Sequence, residues 1–131
     1  MKNNDYILIV DDDEISNYVA QQAIQSVKHE TEIVTLLNGM EAIDYFKKNQ
    51  SNLPLYVLLD INMPLLNGFE FLSWYESSIF RGSTKILMYT TSIRKKERDR
   101  AGKFEDVVAY IEKPISHQLI TKYFNNENLM Y

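Results

Sequence analysis

The sequence contains no cysteine, which excludes a disulfide framework, thiolate catalysis and a zinc–thiolate centre. The first residues, 1–5, have neither the apolar region nor the small-residue cleavage site of a signal peptide. No uninterrupted apolar run approaches the roughly 20 residues that are needed to cross a bilayer. We therefore expect a soluble, cytoplasmic protein without a membrane partner.

The composition is that of an ordinary globular domain, with 131 residues, of which 45% are hydrophobic and 24% charged. This length is enough for one hydrophobic core, and no linker or low-complexity tract separates a second unit. We expect a single domain over residues 1–131, with a core from about 5 to 125, no output domain and a fraying tail at 125–131. The net charge of −4 argues against a nucleic-acid partner.

Short apolar segments alternate along the chain with segments of helical periodicity. The predicted strands recur roughly every 25 residues, and each gap holds a predicted helix. In chain order the predicted elements are strand 6–10, helix 14–27, strand 31–37, helix 40–48, strand 55–59, helix 68–80, strand 85–90, helix 94–103, strand 107–111 and helix 116–124. This alternation predicts an α/β fold of the (βα)5 type, a doubly wound sheet of five parallel strands.

Two neighbouring rows of the first helix are predicted to face the core. The rows are Ile15, Val19 and Ala23, and Ala20, Ile24 and Val27. Asp13 stands directly before this helix and is predicted to cap it, because an aspartate oxygen can accept hydrogen bonds from the first free N–H groups.

Residues whose side chains suit catalysis or metal binding lie at the ends of four predicted strands. Asp11 and Asp12 follow the first strand, Asp60 the third, Thr90 ends the fourth and Lys113 follows the fifth. The third strand is apolar throughout, as in strands buried on both faces, and α/β sheets bind their ligands at the carboxyl ends of such strands. Two alternatives stay open at this point: Asp60 only caps a loop, or Lys113 is an ordinary surface lysine.

Three carboxylates at one edge of a sheet repel one another unless a cation neutralises Asp11, Asp12 and Asp60. Mg²⁺ suits a site with few protein ligands, all of them oxygen, whereas zinc and copper are not expected without nearby histidine or cysteine. Together with a lysine and a hydroxyl, such a site suits a phosphoryl acceptor. Asp60 would attack phosphorus, Lys113 would neutralise the transferring oxygens and Thr90 would donate a hydrogen bond.

Four segments of the chain carry a resemblance to a known family. They are Ile9-Val10-Asp11-Asp12, Leu59-Asp60-Ile61-Asn62-Met63-Pro64 with Asn67-Gly68, Leu87-Met88-Tyr89-Thr90-Thr91, and Tyr110-Ile111-Glu112-Lys113-Pro114. In this order and at these spacings the chain resembles, over its whole length, the receiver domain of two-component response regulators. The resemblance implies the flavodoxin-like strand order 2-1-3-4-5.

The resemblance also implies a role for the residues at the strand ends. Asp60 corresponds to the phosphorylated aspartate and Lys113 to the lysine that contacts the phosphate. Asp12 and Asp60 would ligate Mg²⁺ directly, together with the backbone carbonyl of Asn62. Asp11 would act mainly through a bound water.

Further positions correspond to the switch and to the control of hydrolysis. Thr90 matches the switch hydroxyl that moves toward the phosphoryl group, and Tyr110 matches the switch aromatic that turns inward behind it. Asn62, Thr91 and Ser92 occupy the positions that tune hydrolysis. The family usually has alanine or glycine where this chain has Thr91, so access to the phosphoryl group is expected to be narrower. Neither Asn62 nor Ser92 is acidic, so strong general-base help to water is not expected.

The implied function is that of a single-domain response regulator, which accepts a phosphoryl group from a sensor histidine kinase or a histidine phosphotransfer protein. It would switch its binding surface and would be no enzyme beyond its own dephosphorylation. One alternative is a degenerate receiver that acts as a phosphorylation-independent interaction module. Another is a small Mg²⁺-dependent phosphohydrolase, which needs an acid/base aspartate two residues after its nucleophile, where this chain has Asn62.

The output partner is expected to bind the face formed by the last two strands and helices. The mixed charge run from Arg94 to Arg100 lies next to the expected switch, and it is either a solvated helix face or a docking surface. The segment 103–106 replaces a glycine-rich acidic segment that is frequent in the family, so the output partner stays unknown.

Overall fold

The computed structural model describes residues 5–124, and strands and helices alternate through that range. The elements are β1 Ile7–Val10, α1 Glu14–Val27, β2 Ile33–Leu36, α2 Gly39–Lys48, β3 Tyr56–Leu59, α3 Gly68–Glu76, β4 Lys85–Thr90, α4 Lys95–Ala101, β5 Val107–Glu112 and α5 His117–Phe124. The tail at 125–131, for which we predicted fraying, lies outside the described residues. No described helix has the length and apolar character that a membrane span requires.

The five strands form one sheet in the order β2-β1-β3-β4-β5. Every neighbouring pair is parallel, and β4 and β5 change register once, between Ile86 and Leu87. Both the (βα)5 class and the strand order are as predicted. Because all strands point the same way, their carboxyl ends meet at one edge of the sheet.

Apolar side chains cover both faces of the sheet, as expected for parallel strands between two helical layers. On one face, alternate residues of β1, β3 and β4 pack against α2, α3 and Ala101 of α4. On the other face, the intervening residues of β1, β3 and β4, joined by β5, pack against α1 and α5. Consecutive residues at the end of a strand therefore belong to opposite layers of the molecule.

The first helix buries a different row from one of those predicted. Ile15 and Val19 are 76% and 45% exposed, so the prediction that they face the core was wrong. The buried residues of α1 are Asn17, Ala20 and Ile24, which are spaced for a single helical face. The second predicted row, with Ala20 and Ile24, does face the core, and Asn17 was left out of it because a polar residue did not count toward the apolar pattern. Asp13 does cap the helix, and its carboxylate accepts the N–H groups of the two residues after Glu14.

The third helix ends at Glu76, four residues before its predicted end at position 80. The hydroxyl of Ser78 donates to the carbonyl of Tyr75 at 2.7 Å and accepts the N–H of Phe80 at 3.0 Å. These local bonds replace helical ones and turn the chain, as serine side chains can do. Phe80 still enters the core, with 6% exposure. The second strand and the fourth helix are likewise shorter at both ends than predicted.

Gly68 begins α3 at a point where that helix touches the end of β3. A Cβ on Gly68 would lie 2.3 Å from the backbone oxygen of Asp60. The N–H of Gly68 donates to the carbonyl of Ile61 at 2.8 Å, so the two backbones are held at this separation. The contact ties the first turn of α3 to the residue that ends the central strand.

We predict that Gly68→Ala lowers the free energy of unfolding by about 2–3 kcal/mol, because backbone must move to admit the methyl group. Urea denaturation followed by circular dichroism measures the loss. Gly102→Ala is the matched control, because its Cβ would meet nothing closer than 3.6 Å. Equal stability changes in the two variants would contradict the close contact at Gly68.

Candidate functional site

Backbone hydrogen bonds place the predicted site residues at the edge of the sheet. The N–H of Asp11 donates to β2 and the N–H of Asp60 to β1, each at 3.0 Å. The N–H of Lys113 donates to the carbonyl of Thr90 at 3.0 Å, and the peptide bond after Lys113 is cis. Each side chain thus leaves from the last rung of a parallel ladder, where the direction of the backbone is fixed.

The loop between β3 and α3 is held close to the site by main-chain contacts. Leu65 has a φ of 67°, in the left-handed region, and is 81% exposed. The N–H of Leu66 bonds back to the carbonyl of Pro64 at 2.7 Å, which closes a γ-turn around Leu65. The carbonyl of Leu66 in turn accepts the N–H of Gly39 at 2.9 Å. Capping-box bonds between Asn67 and the first turn of α3 complete the loop.

Three carboxylates converge at the carboxyl ends of β1 and β3. Asp11, Asp12 and Asp60 each offer an oxygen within 4.8 Å of the others. Asp11 and Asp60 are 1% and 8% exposed, whereas Asp12 is open to solvent. The structure therefore brings together the acids that the sequence singled out, with oxygen donors that suit a hard divalent cation. Asn62, two residues after Asp60, is exposed at the same edge.

Lys113 supplies the positive charge at this cluster. Its ammonium forms an ion pair with Asp11 and lies 3.4 Å from Oδ2 of Asp60, with 14% of the side chain exposed. Burial by itself disfavours the charged ammonium, but the hydrogen bond to Asp11 and the charges of Asp60 and Asp11 outweigh it. The net effect raises the pKa of Lys113 above its ordinary value, so the side chain stays protonated.

The pKa of the Asp60 carboxyl is raised above the ordinary value of an aspartate. Burial is the main cause and the charge of Asp11 adds to it, while Lys113 and the N–H of Ile61 act in the opposite direction. Oδ1 of Asp60 accepts that N–H at 2.8 Å, and Oδ2 faces Lys113. Within residues 5–124, one ammonium faces these carboxylates, and its single positive charge does not balance their negative charge.

Ser92 links the predicted switch residues in the loop between β4 and α4. Its N–H donates to Oγ1 of Thr90 at 3.2 Å, and its carbonyl accepts the hydroxyl of Tyr110 at 3.1 Å. Its own hydroxyl donates to the carboxylate of Glu97 on α4. Arg98 adds a second contact from α4, with its guanidinium 5.2 Å from the centre of the Tyr110 ring. Thr90 is buried, Tyr110 is partly buried and Thr91, between Thr90 and Ser92, is exposed.

Sequence reasoning missed Asn17 and Glu97, which contact residues of the site. Nδ2 of Asn17 donates to the carbonyl of Asp11 at 3.0 Å, and Oδ1 of Asn17 has no hydrogen-bond partner among residues 5–124. A polar residue in register with the apolar row of α1 was the available signal. The contact of Glu97 with Ser92 had no comparable signal, because it depends on where α4 begins.

Comparison with known proteins places the chain in a family. A family model described as the response regulator receiver domain matches residues 7–125. The polar-differentiation response regulator DivK of Brucella anthropi is 30% identical over 112 residues, which cover 84% of this chain and 85% of the relative. A solved two-component response regulator from Cytophaga hutchinsonii has a TM-score of 0.86 at 22% identity, over 99% of this chain and 100% of the other. The Mn²⁺-bound form of response regulator Rcp1 has a TM-score of 0.74 at 20% identity, over 96% and 94% of the two chains.

The chain belongs to the response regulator receiver domain family, which works in two-component signalling. The likenesses to solved structures, at these identities, show the fold. Receiver domains are in general signalling modules that bind a divalent metal at an acidic pocket and interact with kinases or phosphotransfer proteins and with output partners. Membership of the family does not favour the phosphohydrolase alternative.

We predict that Asp60→Asn raises the free energy of unfolding in metal-free buffer at neutral pH, because it removes a buried carboxylate whose charged form the folded protein disfavours. The folded-state pKa of Asp60 is raised, so the wild type loses stability as the pH rises from the ordinary range of an aspartate through that raised pKa. The advantage of the variant should therefore shrink on acidification. Urea titrations in chelator at several pH values measure it.

Asp12→Asn is the matched control, because it removes an exposed carboxylate of the same cluster. Its stabilisation should be smaller than that of Asp60→Asn. A gain for Asp60→Asn that stays constant down to acidic pH would show that the buried carboxylate does not destabilise the fold.

Proposed function

We propose that this receiver accepts a phosphoryl group on Asp60, with Mg²⁺ bound at the acidic cluster. The observation that carries the proposal is the surroundings of Asp60 at the end of the central strand. The carboxylate is 8% exposed, shares a cluster with two other acids and lies 3.4 Å from the ammonium of Lys113. A nucleophile, a counter-charge and a set of metal ligands are thereby collected around one carboxyl group.

The residues present fit a hard dication. All three side-chain donors are carboxylate oxygens, and one of them, on Asp12, is exposed to solvent, so that water molecules could supply further ligands. The Mn²⁺-bound relative Rcp1 supports a divalent cation in this fold. When bound, Mg²⁺ would supply positive charge against the oxygens of the transferring phosphoryl group. Asp11, Asp12 and Asp60 would hold it, with the backbone carbonyl of Asn62 as an expected further ligand.

The phosphodonor is a phosphohistidine on a sensor kinase or a phosphotransfer protein. A carboxylate oxygen of Asp60 attacks phosphorus, the P–N bond breaks, and its electron pair returns to the imidazole nitrogen of the donor. The product is an acyl phosphate. Lys113 stays protonated and turns from Asp11 toward the new phosphoryl oxygens, because the charge there exceeds that of one carboxylate.

The phosphorylated site would then act on the loop that follows β4. Thr90 would turn its hydroxyl toward a phosphoryl oxygen and give up the N–H of Ser92, which it accepts in the unphosphorylated protein. Because the carbonyl of Ser92 holds the hydroxyl of Tyr110 and its side chain holds Glu97, the movement would release both. Tyr110 would turn inward and α4 would shift, which changes the surface of the last two strands and helices.

Residues 5–124 would pass on the signal by binding another protein. They form one layered unit, and the hydrogen bond between Ser92 and Glu97 joins the site to the α4–β5 surface. The partner on that surface is a protein, and the place of action is the cytoplasm, where kinases have access to ATP. Self-dephosphorylation by water returns the switch to its starting state. Arg98 and Arg100 of α4, held against Tyr110 and Phe69, are part of the proposed surface.

Intact mass after incubation with Mg²⁺ and acetyl phosphate tests the proposal. The wild type should gain one phosphoryl group and lose this gain when a chelator is present, because the carboxylates then repel the anionic donor. Asp60→Asn should gain nothing. Asp13→Asn should gain as the wild type does, because asparagine caps a helix as well as aspartate does and we assign Asp13 no part in the site.

Phosphorylation of Asp60→Asn to the wild-type level would place the acceptor elsewhere. If the wild type takes up no phosphoryl group from acetyl phosphate or from a histidine kinase, the proposal is wrong. The protein would then be better described as a phosphorylation-independent interaction module.

We predict that Thr91→Ala shortens the lifetime of the phosphorylated form by about threefold, a change in barrier below 1 kcal/mol. Thr91 is exposed beside Thr90 at the rim of the site, and removing its hydroxyl and methyl group widens the path of water to phosphorus. Loss of the phosphoryl group over time, followed by intact mass, gives the rate. Thr35→Ala, at an exposed threonine of β2, serves as control. An unchanged rate for Thr91→Ala would remove Thr91 from the control of hydrolysis.

A further inference from the structure

Tyr89 is a buried tyrosine directly before Thr90 and has no part in the mechanism described above. It is 2% exposed and packs in the layer between the sheet and helices α1 and α5. The same layer contains Leu87, Ile111 and Ile115, all aliphatic. An aliphatic residue would fill such a position without burying a hydroxyl, so the polar end of Tyr89 needs a partner.

The hydroxyl of Tyr89 holds the loop that follows β5. The ladder between β4 and β5 ends where the N–H of Lys113 bonds to the carbonyl of Thr90. Pro114 has no N–H, so Ile115 carries the next donor along the chain. That N–H donates to the Tyr89 hydroxyl at 3.2 Å in a buried environment. The side chain of Tyr89 thus continues the attachment of the β5–α5 loop beyond the last rung of the ladder.

The ring of Tyr89 contacts the ammonium of Lys113. Nζ of Lys113 lies 5.5 Å from the centre of the ring, within the range of a cation–π contact. In the sheet, β4 lies between β3 and β5, so the lysine side chain must pass the end of β4 to reach Asp60. The residues at the end of β4 are Tyr89 and Thr90. Tyr89 supports the lysine on this path without adding a charge that would compete with the phosphoryl group.

Both contacts lie on the same short segment, one on each side of Pro114. The hydroxyl fixes the backbone after Lys113, and the ring faces the tip of its side chain. Burial raises the pKa of the Tyr89 hydroxyl, so it remains a neutral phenol at physiological pH. The position of the ammonium therefore depends on a side chain from another strand as well as on the carboxylates that it pairs with.

We propose that Tyr89 is a positioning residue, which holds the β5–α5 loop and the ammonium of Lys113 in place for the transferring phosphoryl group. This inference rests on the proposed phosphorylation of Asp60. Without Tyr89 the N–H of Ile115 loses its partner, and the ammonium of Lys113 loses its contact with the ring. The maximal rate of phosphoryl transfer should fall, while the donor concentration for half-maximal rate changes little, because Lys113 acts on charge that grows during transfer.

Two variants separate the two contacts. Tyr89→Phe keeps the ring and removes the hydroxyl, and Tyr89→Leu removes both. Tyr75→Phe is the matched control: Tyr75 is also 2% exposed, and its hydroxyl accepts the N–H of Thr84 at 3.1 Å just before β4, at the far end of the sheet from the site. All three variants lose a buried hydroxyl bonded to a backbone N–H, so a purely structural effect would appear in all of them.

The first measurement is the maximal rate of phosphorylation by acetyl phosphate at saturating Mg²⁺. We expect a fall of about threefold for Tyr89→Phe and about tenfold for Tyr89→Leu, and no change for Tyr75→Phe. The second measurement is the NMR shift of the side-chain protons of Lys113 in the unphosphorylated proteins. A ring-current displacement should be present in the wild type, Tyr75→Phe and Tyr89→Phe, and absent in Tyr89→Leu.

A wild-type rate in Tyr89→Leu, or Lys113 resonances that are the same in all four proteins, would overturn the inference. So would a fall in rate that Tyr75→Phe shares, because the effect would then follow stability alone. If the wild type takes up no phosphoryl group on Asp60, the proposed function fails. The Lys113 resonances still decide in that case whether Tyr89 holds the lysine.

Discussion

Repulsion between the carboxylates at one edge of the sheet is the constraint on which the site depends. Parallel pairing places the ends of β1 and β3 side by side, and each end carries an acid that is almost excluded from water. A single ammonium, that of Lys113, is shared between Asp11 and Asp60. The ladder bonds and the contact at Gly68 keep these groups together although their charges favour separation. Binding of a proton or a cation relieves the repulsion between these carboxylates and stabilises the site. The site therefore favours groups that carry positive charge.

The end of β4 connects this charged cluster to the rest of the molecule. Thr90 and Tyr89 are neighbours in the chain, yet they point to opposite layers because side chains alternate along a strand. Thr90 meets Ser92 and, through it, Tyr110 and α4. Tyr89 meets the loop that carries the lysine. The end of β4 therefore borders both Lys113, which pairs with Asp60, and the loop that contacts Tyr110 and α4. A change at Asp60 can reach the α4–β5 surface through these few residues.

The sequence predicted the fold class, the strand order through the family resemblance, and the edge at which the acids meet. These features follow from local signals: uniformly apolar strands of similar length, helical gaps between them, and polar residues at the strand ends. The errors lay where local signals compete. In α1 two adjacent rows were plausible, and Asn17 was overlooked because it is polar. In α3 the hydroxyl of Ser78 ended the helix inside an apolar pattern that would otherwise continue.

What the sequence by itself determined was the set of acids, hydroxyl and lysine at the carboxyl edge, because in parallel strands that set depends only on which residue ends each strand. Only the tertiary structure decided which of them touch and what supports them. The sharing of Lys113 between two acids, the attachment of Ser92 to Glu97 and the contact of Tyr89 with Ile115 each join different elements of the fold. Which residues meet in these contacts depends on how helices and loops pack against the sheet. The residue pattern of a single strand or helix contains no information on the distances between packed elements.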